Sequence, residues 1–461
     1  MPEFHAEPYI YLPVVSHKSV LVAWGAFYFR IKSGGEMKLV DEDDLKHIHP
    51  PRKDTIGARS APYGPARIEV QDADGTTVAV ARTDGTNHCW VTGLQPDTDY
   101  SYKVIVKEEE WAEGVRWDWS PAKKALVRGG HYENRFRTNP DPAAPASSLA
   151  FAVIGDFGVG VKKESEDRRQ LQIANAIRAA LDSRGIRFIL TTGDNIYAGK
   201  KFLGIPVGST GDEDDDWFFT YFQPYRYVLN RICVYPSIGN HDTGESEEND
   251  DRAQVEDNLY IRERIIGEEA AGRASFEPGM FYRFRYGSDI EFVCIDTSKE
   301  AFFGDRLFEH PKHLEFMTQS FPAVMGNAMW RIPFCHHPPF SAGPTHHNTR
   351  SMEKLLPLFR RAAVKAMFSG HEHNFQHSIA DGINYFVSGA AGKRRSGMPN
   401  EFGKAHTRSW SSSCHFLLVE IAGASMTVRA IGEVGPSGLT DIPRFDPNGK
   451  PVTEAMVISV V

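Results

Sequence analysis

The chain has 461 residues, 41% of them hydrophobic and 24% charged, and a formal net charge of −8. That length suits two to four domains with real cores, and the composition is that of an ordinary soluble globular protein. The negative balance argues against non-specific nucleic-acid binding through an overall basic surface, so no nucleic-acid partner is expected. It leaves a small anionic ligand open, because the charge at one site can oppose the global sign.

The first residues, Met1-Pro-Glu-Phe-His-Ala-Glu-Pro, have no basic segment followed by an apolar one, as an export signal would. No stretch reaches the about 18 apolar residues of a membrane span. The five cysteines, Cys89, Cys233, Cys294, Cys335 and Cys414, are scattered and show no metal-knuckle spacing. Buried free thiols in a reducing compartment are the expectation. Together these features point to a cytoplasmic protein, or to a periplasmic or secreted one if the chain is a processed form.

Residues 1–145 read as strands and turns. Ser19–Trp24 is rich in β-formers. Ala66–Gln71 alternates apolar and polar, reaches the turn signal Asp74-Gly75, and is followed by Val78–Ala81. The stretch from Leu94 to Val104, with Pro96, Thr98, Tyr100 and Tyr102, resembles the L-x-P-x-T-x-Y-x-Y run of fibronectin type III domains. In those domains the first tyrosine bonds back to nearby backbone. An all-β sandwich is therefore expected over 1–145, with a polar insertion at 34–62. That insertion carries His47 and His49, for which an exposed loop is the plain reading.

A Pro/Ala linker at residues 138–147 marks the domain boundary. Beyond it, strand and helix alternate. Leu149–Ile154 is a continuous apolar run, as a buried parallel strand would be. Leu171, Ala174, Ile177 and Leu181 recur at helical spacing within Asp167–Ser183, and Gly185 can end that helix. Phe188–Thr192 is the next strand, giving a βαβ unit. Further strands are expected at Ile290–Ile295, Trp330–Cys335, Val364–Phe368, Ile383–Val387, His415–Ile421 and Met426–Ile431, with a helix over Met352–Ala362. The fold class is α/β, an α+β sandwich over 146–432. Residues 433–461 form a Gly/Pro-rich extension that wraps the surface. The acidic runs Asp212–Asp216 and Glu245–Asp251 read as solvated loops.

Five short loops follow strands: Gly155-Asp156-Phe157-Gly158, Gly193-Asp194-Asn195-Ile196-Tyr197, Gly239-Asn240-His241-Asp242, His336-His337-Pro338-Pro339 and Gly370-His371-Glu372-His373. Each alone is a weak signal, since a Gly-Asp pair is usually a turn. In open α/β sheets, however, ligands gather outside the carboxyl ends of the strands, where such loops can converge.

The ordered series resembles the metallophosphoesterase pattern D-x-H, GD, GNH, H, GHxH of the calcineurin-like superfamily. Gly158 stands where a histidine is usual, and Tyr197 follows Asp194 by three. That paired change, D-x-G with GDxxY, is the purple acid phosphatase version. The resemblance implies one metal ion held by Asp156, Asp194, Tyr197 and His373. It implies a second held by Asp194, Asn240, His336 and His371, with Asp194 shared. Three anionic oxygen donors suit Fe(III) at the first position, and the second set suits divalent Fe, Zn or Mn. The function implied is a metal-dependent phosphomonoesterase of acid phosphatase type that uses metal-activated hydroxide. A phosphodiesterase on the same scaffold is the alternative, and a non-catalytic binding protein the more distant one.

The resemblance also implies outer histidines at His241 and His346, with His347 a weaker candidate. It selects His336 over His337 as the ligand, because the motif places the ligand two residues before the proline. His337 then either reaches substrate or points away; pointing away is the expectation. Cys335 should be turned from the site by strand alternation. Lys200, Lys201, Lys393, Arg394 and Arg395 follow active-site loops or strands, and solvent exposure is their expected state.

Overall fold

In the computed structural model the described residues are 3–31, 37–39, 64–120, 123–161, 169–197, 200–202, 205–207, 217–242, 255, 257–261, 264, 281–297, 311–322 and 329–460. His47, His49, both acidic runs and most of the insertion lie outside them, as do the side chains of Lys200 and Lys201. The chain forms two compact units. One is Met1–Asn139 with Glu213–Val234 and Ala253–Arg264; the other is Pro140–Asp212, Tyr235–Arg252 and Ile265–Val461.

The first unit is all-β apart from its later segments. It contains β1 (Glu3–Val15), β2 (Ser19–Ile31), β3 (Met37–Leu39), β4 (Ala66–Gln71), β5 (Thr77–Thr83), β6 (His88–Thr92), β7 (Asp99–Val106), β8 (Glu109–Glu110), β9 (Glu113–Ser120), β10 (Lys123–His131) and β11 (Arg135–Arg137). One sheet runs β1-β2-β3 with β6 beside β2, and a second runs β11-β7-β4-β5 with β8 beside β7. The alternation read in Ala66–Gln71 is real: Ala66, Ile68 and Val70 are buried and the residues between are less so. At the following turn, Asp72 Oδ1 accepts the backbone N–H groups of Asp74 and Thr76, and Gly75 takes a positive φ. The Gln95 N–H donates to Tyr100 Oη at 2.9 Å, a tyrosine-corner bond.

The segments that return to this unit were not legible in the sequence. Phe218–Phe222 is a π-helical turn leading into a helix over Gln223–Leu229. Its rings pack on β1 and β2: Phe218 lies 4.9 Å from Phe27, and Phe222 lies 4.7 Å from Tyr9. Arg226 pairs with Glu7, both almost wholly buried.

The second unit holds β12 (Leu149–Ile154), α1 (Gln170–Arg184), β13 (Phe188–Thr191), β14 (Lys200–Phe202), β15 (Ile205–Val207), the last residue of β16 (Cys233–Tyr235), β17 (Tyr282–Tyr286), β18 (Ile290–Cys294), α2 (Pro311–Ser320), β19 (Trp330–Phe334), α3 (Leu356–Arg361), β20 (Ala366–Ser369), β21 (Phe375–Ala380), β22 (Ile383–Ser388), β23 (Thr407–Ser411), β24 (Phe416–Ala422), β25 (Ser425–Gly435), β26 (Gly438–Asp441) and β27 (Met456–Ser459). One mixed sheet runs β16-β13-β12-β24-β25-β26 with β27 on β25; the other runs β17-β18-β19-β20-β22-β21-β23. Rings from the two sheets meet between them. Phe151 and Phe188 each lie 5.3 Å from Phe292, edge to face. The βαβ unit is present: β12 pairs in parallel with β13, and Gly185 closes α1 in the left-handed conformation. Apolar residues of α2 and α3, among them Phe316 and Phe359, join Val293, Cys335 and Met367 in one buried cluster. This is the α+β sandwich expected.

Two expectations are corrected. Met352–Ala362 is not one α-helix: a 3-10 helix over Arg350–Leu355 precedes α3, which begins at Leu356-Pro357. A proline lacks the N–H and clashes with the carbonyl four residues back, so the α ladder starts at Pro357 and cannot run through it. Residues 433–461 are not only a surface wrap, because the end of β25, β26 and β27 extend the first sheet. Met456 and Ile458 alternate inward with Val457 and Ser459 outward, a period-two signal hidden by the Gly/Pro composition.

Two buried histidines give this unit a pH dependence. Burial pushes His377 and His415 down to about 4. In the unfolded chain they bind protons near the ordinary 6.5, so between those values the unfolded state carries the extra protons. Stability is therefore complete above about pH 6.5 and falls as pH drops toward 4. Each histidine is expected to remove on the order of 2 kcal/mol at pH 5. Urea midpoints at pH 7 and pH 5 measure this, and replacing both by Gln should flatten the difference.

Candidate metal centre

The five loops and two further ones lie at the carboxyl ends of strands, after β12, β13, β16, β18, β19, β20 and β22. Three of the expected ligands, Asp156, Asp194 and His371, have φ of +54°, +51° and +71°. Non-glycine residues in this region are uncommon and cluster at functional sites. Here each occurs where a strand ends and its side chain must turn inward at once.

Asp156, Tyr197 and His373 form one group. Tyr197 Oη lies 3.0 Å from Asp156 Oδ1 and 3.1 Å from His373 Nε2, which is 3.2 Å from the same carboxylate oxygen. Asp156 Oδ2 accepts the His371 backbone N–H at 2.9 Å. Gly158 explains why a tyrosine serves here. A Cβ at that position would stand 2.0 Å from the Asn195 carbonyl oxygen. The loop of Tyr197 thus occupies the space a side chain at 158 would need.

Asn240, His336 and His371 form the second group. Asn240 Oδ1 lies 3.0 Å from His336 Nε2 and 3.1 Å from His371 Nδ1, and those two nitrogens are 3.1 Å apart. Asp194 Oδ1 is 3.4 Å from His336 Nε2 and accepts the His241 backbone N–H. Donor atoms of Asp156, Asp194 and His336 lie within 4.8 Å of one another, so Asp194 stands between the groups. His336 Nδ1 lies 2.7 Å from the Thr192 carbonyl, which can only accept. Nδ1 therefore carries the proton and Nε2 offers its lone pair. Gly239 is required, since a Cβ there would meet Asp194 Oδ1 at 2.2 Å.

The electrostatics suit a cation. Burial raises the Asp156 carboxyl, and burial with the nearby Asp156 and Asp194 carboxylates holds the Tyr197 phenol well above its usual range. Burial holds His371 and His373 well below theirs, so both imidazoles are neutral. The centre thus gathers carboxylates, the Asn240 amide and the neutral nitrogens of His371 and His373, while at His336 the lowering by burial is outweighed by the Asp194 and Asp156 carboxylates, which raise it. The donor separations fit as well: with metal bonds of about 2.1 Å, adjacent donors stand about 3.0 Å apart in octahedral and about 3.4 Å in tetrahedral geometry.

His241 and His346 lie beside the groups. The His241 ring is 4.5 Å from the Tyr197 ring, and the His346 ring is 3.9 Å from the His371 ring. Burial and the Arg395 cation push His346 down to about 4. His347 turns toward Glu401, with Nδ1 3.5 Å from its carboxylate. Cys335 is buried in the apolar cluster.

Three expectations need correction or addition. His337 does not point away: its ring is 4.4 Å from that of His371, because the chain bends after β19 and strand alternation no longer holds. Lys393 and Arg395 are half-buried at the centre instead of solvated. Lys393 Nζ sits 3.8 Å from the centroid of the Tyr197 ring, and Arg395 Nη2 donates to His346 Nε2 at 3.1 Å. Supporting residues were also missed. Asp242 accepts from Gly239 N, Ile196 N and Asn195 Nδ2, tying two ligand loops together. Glu372 accepts the backbone N–H groups of Thr345 and His346. Both sat inside the motifs, and only their neighbours were read as functional.

Comparison with known proteins bears on the domain that holds these loops. Residues 149–375 match the family model of the calcineurin-like phosphoesterases. The chain is 25% identical to tartrate-resistant acid phosphatase type 5 of Rattus norvegicus over 330 residues, covering 65% of this chain and 92% of that protein. It is 24% identical to purple acid phosphatase 3 of Arabidopsis thaliana over 301 residues, covering 62% and 75%. Among solved structures, PhoD shares the fold with a TM-score of 0.60 at 12% identity, over 98% of this chain and 94% of that one. A purple acid phosphatase from yellow lupin (Lupinus luteus) seeds does so at 0.58 and 12%, over 98% and 74%.

The chain carries a calcineurin-like phosphoesterase domain and is a phosphoric ester hydrolase. Over that domain the chain is similar to the purple acid phosphatases. Among the described residues no helix is long and apolar enough to cross a membrane.

Proposed function

We propose that the chain is a binuclear phosphomonoesterase of acid phosphatase type. Asp156, Asp194, Tyr197 and His373 would hold a trivalent iron. Asp194, Asn240, His336 and His371 would hold divalent Fe, Zn or Mn. The observation that carries this reading is the convergence of two donor groups, at separations of 3.0–3.4 Å, on either side of Asp194. When bound, two metal ions lower the pKa of water and offset phosphoryl charge.

The chain's own residues do the rest. Arg395 donates to His346 Nε2, which leaves the proton of the neutral ring on Nδ1. His346 can then offer its Nδ1–H as a hydrogen bond to a leaving oxygen, and His241 flanks the Tyr197 side. Lys393 and Arg395 add positive charge where a dianionic monoester would bind, which favours the monoester over a singly charged diester. The Tyr100 corner bond supports a fibronectin type III-like reading of the first unit. The five cysteines, all among the described residues, are not joined in disulfides, which supports a reducing compartment.

Hydrolysis of p-nitrophenyl phosphate and bis-p-nitrophenyl phosphate by metal-replete protein, from acid to neutral pH with a chelated control, tests the reading. Faster monoester turnover is expected. A diester preference would move the function to phosphodiesterase, and inactivity on both with two metals bound would point to a narrow substrate or a binding role.

A further inference from the structure

We propose that His337 is a third imidazole ligand of the divalent site and biases that site toward zinc or iron over manganese. The inference rests on the two-metal reading above. The motif selects only one histidine of the pair, the one two residues before the proline, and on an extended strand its neighbour would face the opposite way. The bend after β19 removes that rule. The His336 and His337 ring centroids are 5.0 Å apart, and one ring nitrogen from each of His336, His337 and His371 falls within 4.8 Å of the others.

The two nitrogens of His337 differ. The side chain is buried, with 3% exposure. Thr297 Oγ1 accepts the His337 backbone N–H at 3.1 Å and lies 2.9 Å from Nδ1. Among the described residues Nε2 has no hydrogen-bond partner. Leaving a buried polar atom unpaired costs about 1–3 kcal/mol, so such an atom calls for a reason. With Nδ1–H donated to Thr297, Nε2 presents a lone pair. His336 is held in the same way, its Nδ1 fixed by the Thr192 carbonyl and its Nε2 turned inward. Two adjacent imidazoles, each clamped at Nδ1 by an oxygen, are arranged as metal ligands are.

The donor set then changes character. Three neutral nitrogens join one amide oxygen and one shared carboxylate. Imidazole suits zinc and iron, whereas manganese is better served by oxygen donors. His337 thus narrows the choice among the three divalent ions.

Chelator-competition titrations with Zn(II) and Mn(II), and visible spectra of the Co(II)-loaded second site, test this on the full chain and on His337→Ala. Zinc affinity at the second site should fall at least about tenfold to a hundredfold. Manganese affinity should fall less, and the Co(II) bands should shift with the lost ligand. Should His337→Ala not fold, Thr297→Val carries the test: it keeps the imidazole, frees its orientation, and should weaken zinc up to about tenfold. Unchanged zinc affinity and Co(II) spectrum in the folded variants would overturn the proposal. If KM for p-nitrophenyl phosphate rose at the same time, His337 would instead touch substrate. Failure of the unaltered chain to take two equivalents of metal would sink the two-metal reading itself, a result separable from any effect of position 337.

Discussion

Asp194→Asn should lower kcat/KM for p-nitrophenyl phosphate at least about a thousandfold, a loss of about 4 kcal/mol of transition-state stabilisation. The variant keeps the size of the side chain, and asparagine tolerates the positive φ that position 194 adopts, so the fold should survive. What disappears is the carboxylate assigned to both donor groups. Its Oδ1 lies 3.4 Å from His336 Nε2 and also fixes the backbone of His241. Elemental analysis should therefore find both metals depleted. His336→Ala should behave differently, losing the divalent ion alone and leaving the Tyr197 group loaded. Its loss of divalent metal and activity should exceed that of His337→Ala. If Asp194→Asn kept one metal at full occupancy, Asp194 would belong to a single site and the shared-carboxylate assignment would fall.

The parts of this fold that were legible in the sequence are those written in local patterns. The apolar run of Leu149–Ile154, the helical spacing through Leu181 and the left-handed Gly185 specify a βαβ unit without reference to the rest of the chain. The site was legible for a related reason: each donor sits in a short loop just past a strand, Gly-containing in every case but that of His336, and the order of loops survives even though their contacts span long separations. Gly158 shows the limit of pattern reading. Its exchange with Tyr197 was visible as a motif, but the crowding by the Asn195 carbonyl that enforces it was not. Lys393 and Arg395 were missed because charged residues in a Gly-rich loop default to solvent, and only tertiary packing carries them over Tyr197 and His346. The segments Glu213–Val234 and Ala253–Arg264 return to the first unit through aromatic packing, which has no sequence period to reveal it.

Tyr197→Phe should abolish any visible phenolate-to-iron absorption while leaving the chain folded. Tyr197 is 1% exposed, its hydroxyl donates to Asp156, and burial beside two carboxylates holds its proton tightly. Only a highly charged cation at the same spot could ionise it, so the absorption reports directly on which metal sits against Asp156 and His373. The phenyl ring keeps its packing against His241, and removal of one hydroxyl should cost on the order of 1 kcal/mol of stability. A retained band in Tyr197→Phe would remove this residue from the metal's ligands. Lys393→Met gives the complementary reading. It should keep the band but move it to longer wavelength, because withdrawing an ammonium 3.8 Å from the ring centroid raises the energy of the phenolate electrons that are transferred. A band lost in the first variant and shifted in the second would place both the phenolate and the cation above it on the same metal, through one observable that does not depend on turnover.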